Sequence, residues 1–518
     1  MNIGIKDPEG PTTPARIGSV YNQNCAGTTL DQLRKLKCTN YVGYTDEDNE
    51  PFTGRSNIEP FVDTSLLGSL LRIDYDLDFA QFTSLTSCDD FKRNTSEDTD
   101  ASPSRFVEVT YDSTTRQFYQ ELRLTSKAEG FLDWIAGVNY AHDELDTSDI
   151  YYYTDRPFRD TNLLVDYVQE STSYAAFAHA NLNFTDSIRG VLGMRYNNDN
   201  RTWIGGTIDL DPLGVSAFLP PYVTPGSPFD PTTYCPASNV GTYLDCNRGR
   251  SNDEKVDDSD VMYRAGLEIR PLDDVLVYAT YSTGIKSGAF SGTWSDLAGG
   301  YLPSKKEEVQ SAELGVKSVF ANRTVRLNAA AFHYDYVDLQ GLAFDPVLFK
   351  YGLDNIGDAR IVGFEADVEW QPIVGLDLRA GYGYIDTELT KANPILGNTS
   401  QVGNRLPNAP ETTVNAEIAY EWAVFDGMLA SVGLDGRHQS DVYFSIDNDG
   451  RAHEDPYTVM NARASLKSST DQWSATMWIR NLADEQYFQE AFISSGANVL
   501  GNVGAPRTYG LTLTLRLE

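Results

Sequence analysis

The sequence predicts an all-β chain, a transmembrane antiparallel β-barrel, and three observations carry that prediction. Short segments alternate apolar and polar residues with a period of two, the connections between them alternate between short and long, and aromatic residues gather at segment ends. A period of two puts one apolar and one wet face on a strand, and a tilted barrel strand needs only about 10 such residues to cross a bilayer. No run approaches the roughly 18 consecutive apolar residues of a membrane-spanning helix, which excludes a helical membrane protein and says nothing against a barrel.

The alternation is clearest late in the chain. In 508–517, Tyr509, Leu511, Leu513, Leu515 and Leu517 share one face, opposite Thr508, Gly510, Thr512, Thr514 and Arg516. In 412–422, Val414, Ala416, Ile418, Tyr420 and Trp422 oppose Thr413, Asn415, Glu417, Ala419 and Glu421. Segments 261–270 and 473–480 repeat the pattern. A helix would scatter these Arg and Glu residues around its whole surface. Taken in order, about 17 strands are expected near 66–75, 78–86, 115–126, 131–143, 172–184, 187–203, 259–269, 273–283 and 309–320. The remainder fall near 323–335, 359–371, 374–388, 411–422, 428–441, 456–467, 472–480 and 505–517.

Short connections such as Lys127–Gly130, Thr185–Asp186, Ala321–Asn322 and Ser468–Asp471 alternate with long ones at 87–114, 144–171, 204–258, 284–308, 336–358, 389–410, 442–455 and 481–504. A soluble sandwich would have mostly short loops at both ends. Strict alternation is what a barrel gives when tight turns line one rim and long external loops the other. Tyr151, Tyr152, Tyr153, Tyr382, Tyr384, Tyr420, Trp422, Tyr487 and Phe488 are expected as girdle residues, where amphipathic rings sit at the two membrane interfaces.

The net charge of −33 argues against a nucleic-acid partner, because phosphate binding needs Lys and Arg. Five cysteines are present. Cys25 and Cys38 lie in one polar stretch and Cys235 and Cys246 in another, so two local disulfides in an oxidising compartment are expected, with Cys88 left over. None has zinc-finger spacing and the five His are scattered, so no metal or cofactor is expected at protein ligands. Residues 1–20 have no positive start followed by an apolar core, and hence no signal peptide. If 505–517 is a last strand running toward the periplasm, strand parity makes 1–65 an external loop and 66–518 an incomplete barrel. Its first and last strands would then have unpaired edges, or be forced into a smaller barrel.

Six segments, in order over 277–518, resemble the TonB-dependent receptor family. They are 277–290 (VYATYSTGIKSGAF), 302–320 (LPSKKEEVQSAELGVKSVF), 355–370 (NIGDARIVGFEADVEW), 404–411 (NRLPNAPE), 478–488 (WIRNLADEQYF) and 504–513 (GAPRTYGLTL). The resemblance implies a barrel of about 22 strands with a plugged lumen, of which about 17 are here. Five strands, an N-terminal plug, the TonB-contacting box and a signal peptide would lie outside this chain. It also implies an outer-membrane receptor for a scarce ligand, most often a ferric siderophore, with a TonB energy-coupling complex and outer-membrane lipid as partners. The chain ends Leu517-Glu518 rather than in the aromatic usual for such barrels.

Candidate chemistry is sparse. Asp447-x-Asp449-Gly450 resembles the start of a calcium loop but lacks the distal Glu, and reads as an external turn. The acidic run 141–155 reads as a solvated loop. Arg189, Arg195, Arg264, Glu268, Glu313, Lys317, Arg326, Glu365, Asp367, Glu369, Arg379 and Arg463 fall on the wet faces, where they either touch plug and ligand or form ion pairs that keep a lumen hydrated. No catalytic set of Ser, His and Asp or of paired carboxylates stands out, and no enzymatic activity is expected. Two alternatives stand beside the energy-coupled receptor: a passive diffusion barrel, and a surface β-protein or outer-membrane hydrolase.

Overall fold

The computed structural model describes residues 17–20, 57–99, 103, 105, 108–127, 130–156, 159–210, 248–293, 302–345, 350–393, 401–494 and 498–516. Strand β1 is Ile17–Val20, and the wall begins with β2 (Phe61–Asp76), β3 (Ala80–Asp98), β4 (Glu108–Ser126), β5 (Leu132–Arg156), β6 (Arg159–Thr185) and β7 (Ile188–Asp209). It continues through β8 (Arg248–Leu272), β9 (Val275–Lys286), β10 (Glu307–Phe320), β11 (Val325–Asp345), β12 (Lys350–Trp370) and β13 (Leu376–Ala392). It ends with β14 (Thr412–Phe425), β15 (Met428–Gln439), β18 (Tyr457–Ser468), β19 (Trp473–Arg480) and β22 (Thr508–Leu515). Two short pairs lie between, β16 (Val442–Tyr443) with β17 (His453–Glu454), and β20 (Phe488–Ser494) with β21 (Asn498–Val503).

Every neighbouring pair in the wall is antiparallel, and the seventeen strands wrap round as a barrel. All seventeen sequence-predicted strands are present. The register carries the period-two faces across the ladders. Leu314, for instance, sits opposite Ala331, which sits opposite Phe364 and then Tyr384, all on the outer face. That face has no protein to bury it: Leu192, Met194, Leu267, Leu314, Ile418, Leu434 and Met477 are exposed. Exposed apolar side chains around a whole wall are costly in water and stable in hydrocarbon.

The tight turns share one rim. Gly427, at φ 77°, closes the β14–β15 turn, and Ala321, Asn322 and Arg323 close β10–β11 with positive φ. At the other rim several strands run far beyond the bilayer. The β5–β6 hairpin continues in register to Tyr153–Thr161 and, after a register shift, pairs Arg156 with Arg159, so 144–171 is mostly strand rather than loop, and the acidic run 141–155 is strand too. Likewise β11–β12 extends to Asp345–Lys350. In the β5–β6 extension the polar residues Thr147 and Asp149 share a face with Tyr151 and Tyr153, so the clean apolar–polar alternation of the membrane portion is lost there.

No ladder joins the two end strands among the described residues. Among the described residues β2 has a register with β3 and β22 with β19, and none joins β2 to β22. All sixteen residues of β2 are exposed, and Tyr509, Leu511, Leu513 and Leu515 are 62 to 80% exposed. An odd number of antiparallel strands makes β2 and β22 run in the same direction, so a ladder between them would have to be parallel, unlike every other pair in the wall. Strand β1 pairs with β21 at the long-loop rim.

Candidate functional site in the lumen and its mouth

The inner face of β12 to β18 builds a charged belt around a cavity of about 1050 Å³. Glu417 on β14 stands at its centre. Arg379 of β13 reaches it at 3.1 Å, and Arg463, two strands away on β18, pairs with its other oxygen. Arg463 also faces Asp435 at 3.5 Å, and Asn461 donates to Asp435 at 2.7 Å. On the adjoining strands Arg326 pairs with Glu369 at 3.2 Å and Asn328 donates to Asp367 at 2.9 Å. Further round, Arg189 faces Glu268 at 3.6 Å, and Tyr278 donates to Glu313 at 2.7 Å beneath Lys317. Of the wet-face residues singled out in the sequence, Arg189, Glu268, Arg326, Glu369, Arg379 and Arg463 thus stand in cross-strand ion pairs. Half-exposed pairs of this kind contribute a few tenths of a kcal/mol each. Their larger effect is to neutralise charge within a belt that stays hydrated.

The mouth is closed in by interlocked loops. Arg405 donates to the Asp441 carboxylate at 2.8 Å and to its carbonyl at 3.0 Å, while His453 lies 3.1 Å from the same carboxylate. Asn448 and Arg405 exchange hydrogen bonds at 2.8 and 2.9 Å, and Asn404 donates to the Ile446 carbonyl. Beneath them Ile356, Leu389, Ala392 and Ile446 form a small apolar core with Leu339 and Leu406. Burial pushes the Asp441 carboxyl up, but the hydrogen bonds from His453 and Arg405 win and hold it below the usual carboxylate range. Asp449 caps the one-turn helix Gly450–Ala452 and is bound by Arg451, so the suspected calcium loop is a turn whose carboxylate is already paired. Tyr457 and Tyr487 stack at 4.3 Å over the cavity.

A second clamp holds the segment after β9. Asn355 accepts from the Lys305 amide at 2.7 Å and donates to the carbonyls of Lys305 and Asp338. Gln340 ties Ser287 and Lys305 together, and Arg201 donates to the Gly288 carbonyl at 2.7 Å. A Cβ on Gly288 would sit 2.4 Å from the Ser304 carbonyl, so only glycine permits this approach. Gly357, at φ 145°, passes so close to Lys391 that a Cβ would lie 1.8 Å from its carbonyl. At the end of the chain Asn481 donates to the Glu485 and Ala505 carbonyls, and Asp484 accepts from the Arg507 amide. The segments singled out in the sequence are thus the fasteners of the loop rim.

Some expectations require correction. Tyr382 and Tyr384 are exposed outer-face aromatics and Tyr420 stacks with Trp422, as a girdle requires. Tyr153 instead is buried in the hairpin extension beside Leu163, well above the girdle, and Tyr487 and Phe488 line the lumen. Cys88 is a free, exposed cysteine. Cys25, Cys38, Cys235 and Cys246 lie outside the described residues. Among the described residues no group of His, Cys, Asp and Glu is placed to hold a metal ion. Arg405, Asp441 and His453 went unnoticed in the sequence. Arg405 lies in a segment singled out there, but nothing local marks the other two, which loop packing brings together.

Comparison with known proteins gives a consistent picture. The chain is 24% identical over 245 residues to a probable TonB-dependent siderophore receptor, PiuA, of Acinetobacter baumannii, covering 45% of this chain and 31% of that protein. It is 28% identical over 260 residues to the metal-pseudopaline receptor CntO of Pseudomonas aeruginosa, covering 49% of this chain and 33% of the relative. The chain therefore spans about a third of the length of these relatives. The fold matches the ferric yersiniabactin uptake receptor FyuA from Yersinia pestis with a TM-score of 0.69 at 18% identity, over 88% of this chain and 61% of that one. It matches the Acinetobacter baumannii PiuA structure with a TM-score of 0.64, over 88% and 64% of the two chains. The model of the TonB-dependent receptor-like β-barrel matches residues 8–482, and with its exposed apolar wall this chain belongs to that family of outer-membrane barrels.

Proposed function

We propose that this chain forms the transmembrane wall of an outer-membrane receptor that takes up a ferric siderophore, with energy supplied through the TonB complex and with no enzymatic activity. The observation that carries this reading is the charge-paired belt around a cavity of about 1050 Å³, beneath a fastened loop rim. That volume suits a metal complex of small-molecule size rather than a bare ion. Relatives described as siderophore and metal-pseudopaline receptors support the ligand class. In the same reading residues 1–65 lie at the external rim and 66–518 form the wall; the pairing of β1 with β21 supports the former, although β2 already starts at Phe61. Two local disulfides, Cys25 with Cys38 and Cys235 with Cys246, belong to this picture and are tested by mass spectrometry of the nonreduced protein.

The test is uptake of radioactive iron from a panel of siderophores in cells with and without the gene encoding this chain. Loss of uptake of one siderophore on deletion, and loss in the intact strain on collapsing the proton-motive force, is the expected result. Uptake insensitive to uncoupling, with large stable conductance in planar bilayers, would support a diffusion barrel instead.

A further inference from the structure

Arg437, on the inner face of β15, borders the cavity of about 1050 Å³, and among the described residues it has no carboxylate partner. The side chain it donates to is neutral Gln439, at 3.1 Å. Its neighbours across the ladders are Val459 on β18 and Asn415 on β14, followed by Gly381 on β13. None carries charge, and a Cβ on Gly381 would meet nothing within 4 Å, so this row of the wall is recessed and free of acids. The acids that line the cavity are engaged elsewhere. Glu417 and Asp435, one row nearer the tight-turn rim, hold Arg379 and Arg463. Glu369 holds Arg326, and Asp367, three strands from Arg437, accepts from Asn328. Of the three arginines lining the cavity, two are thus neutralised and Arg437 is left over.

Beside it stands an aromatic stack with one open end. Tyr457 is the diagonal neighbour of Arg437 across the β15–β18 ladder, within reach of a long side chain. Tyr487 stacks on Tyr457 at 4.3 Å and is backed by Gly504, where a Cβ would lie 2.3 Å from the Tyr487 ring. Tyr487 is therefore held between two neighbours, whereas Tyr457 borders the cavity and has no second ring partner among the described residues. A guanidinium with donors to spare beside an open aromatic face suits a planar ring that carries anionic oxygen. The ring stacks on Tyr457 and the oxygen accepts from the guanidinium. We propose that Arg437 and Tyr457 form a subsite for a catecholate or phenolate ring of a metal chelate. This subsite rests on the uptake of a metal complex proposed above, and it narrows that complex to one with anionic aryl-oxygen donors.

The test is equilibrium dialysis of the full chain, purified in detergent, against two chelates of radioactive iron. One is the ferric complex of a synthetic tris(catecholamide), which is anionic and aromatic. The other is the ferric complex of a trihydroxamate, which is neutral and has no ring. The wild type is expected to bind the first roughly tenfold more tightly than the second. Arg437→Gln and Tyr457→Leu should each weaken the tris(catecholamide) complex roughly tenfold more than the trihydroxamate, and Arg437→Lys, which keeps the charge, should recover part of the loss. Equal affinity of the wild type for both chelates, or none for either, would overturn the proposal. So would an unchanged preference in Arg437→Gln, an equal loss for both chelates, or tighter binding once the arginine is gone, which would show that the acidic lining selects a cationic ligand. Should the variants fail to fold, the wild type decides alone: raising the salt from about 0.1 to about 0.5 M should narrow the gap between the chelates, and an unchanged gap overturns the subsite. Failure of the uptake reading is a separate result, a siderophore panel unaffected by deletion of the gene.

Discussion

At the residue scale, Glu417, Asn355 and Asp149 each hold a different part of the structure. Glu417 accepts two arginines across the lumen, so Glu417→Gln leaves Arg379 without its carboxylate, leaves Arg463 only Asp435, and removes the excess negative charge from the cavity lining. The expected outcome is a shift in the reversal potential of the reconstituted protein toward anion preference, with no shift for Asn328→Ala, which removes no charge. Asn355 satisfies three main-chain groups, two on Lys305 and one on Asp338 of β11, and an unsatisfied buried group costs about 1–3 kcal/mol. Asn355→Ala should therefore speed hydrogen exchange at Lys305 and its neighbours by tenfold or more, and unchanged exchange would show that the clamp is redundant. Asp149, on the hairpin extension outside the bilayer, is pushed up to about 6 chiefly by burial. Its ordinary value is 3.8, so the folded hairpin binds a proton more readily than the unfolded chain. Its contribution is then most favourable below about 4 and is lost as pH rises through about 6. After correction for intrinsic exchange, protection around Asp112 should increase from pH 7 to pH 5, and Asp149→Asn should abolish that dependence.

At the element scale, the membrane portion of each strand was legible because hydrocarbon on one side and water on the other write a period of two into the sequence. The register from Leu314 through Ala331 and Phe364 to Tyr384 follows directly from it. Beyond the bilayer that pressure disappears. The β5–β6 hairpin of Tyr151 and Asp149, and the small β16–β17 and β20–β21 pairs, were read as loop for this reason. The site divides the same way. Belt residues such as Arg379 and Glu369 were found by face, Asn355 and Arg405 sat in recognisable segments, and Asp441 with His453 came from opposite ends of a loop with no local mark. Their latch is testable as an element: Asp441→Asn removes the ionised partner of Arg405, and limited proteolysis within 440–456 should become faster at neutral pH. The Asp441 carboxyl sits below its usual range, so the latch is present at neutral pH and is lost as pH falls through that lowered value. Acid should therefore mimic the variant.

At the scale of the whole molecule, a single curved sheet separates lipid from a hydrated, charged lumen. The missing ladder between β2 and β22 follows from the same antiparallel logic, since seventeen strands leave two edges that run in the same direction. Nitroxide labels placed one at a time along 413–420 of β14 in a lipid bilayer test that claim most directly. Labels at positions 414, 416, 418 and 420 should be accessible to oxygen and shielded from a water-soluble nickel chelate, and labels at 413, 415, 417 and 419 should show the reverse. Accessibility without a period of two, or with the opposite phase, would contradict it.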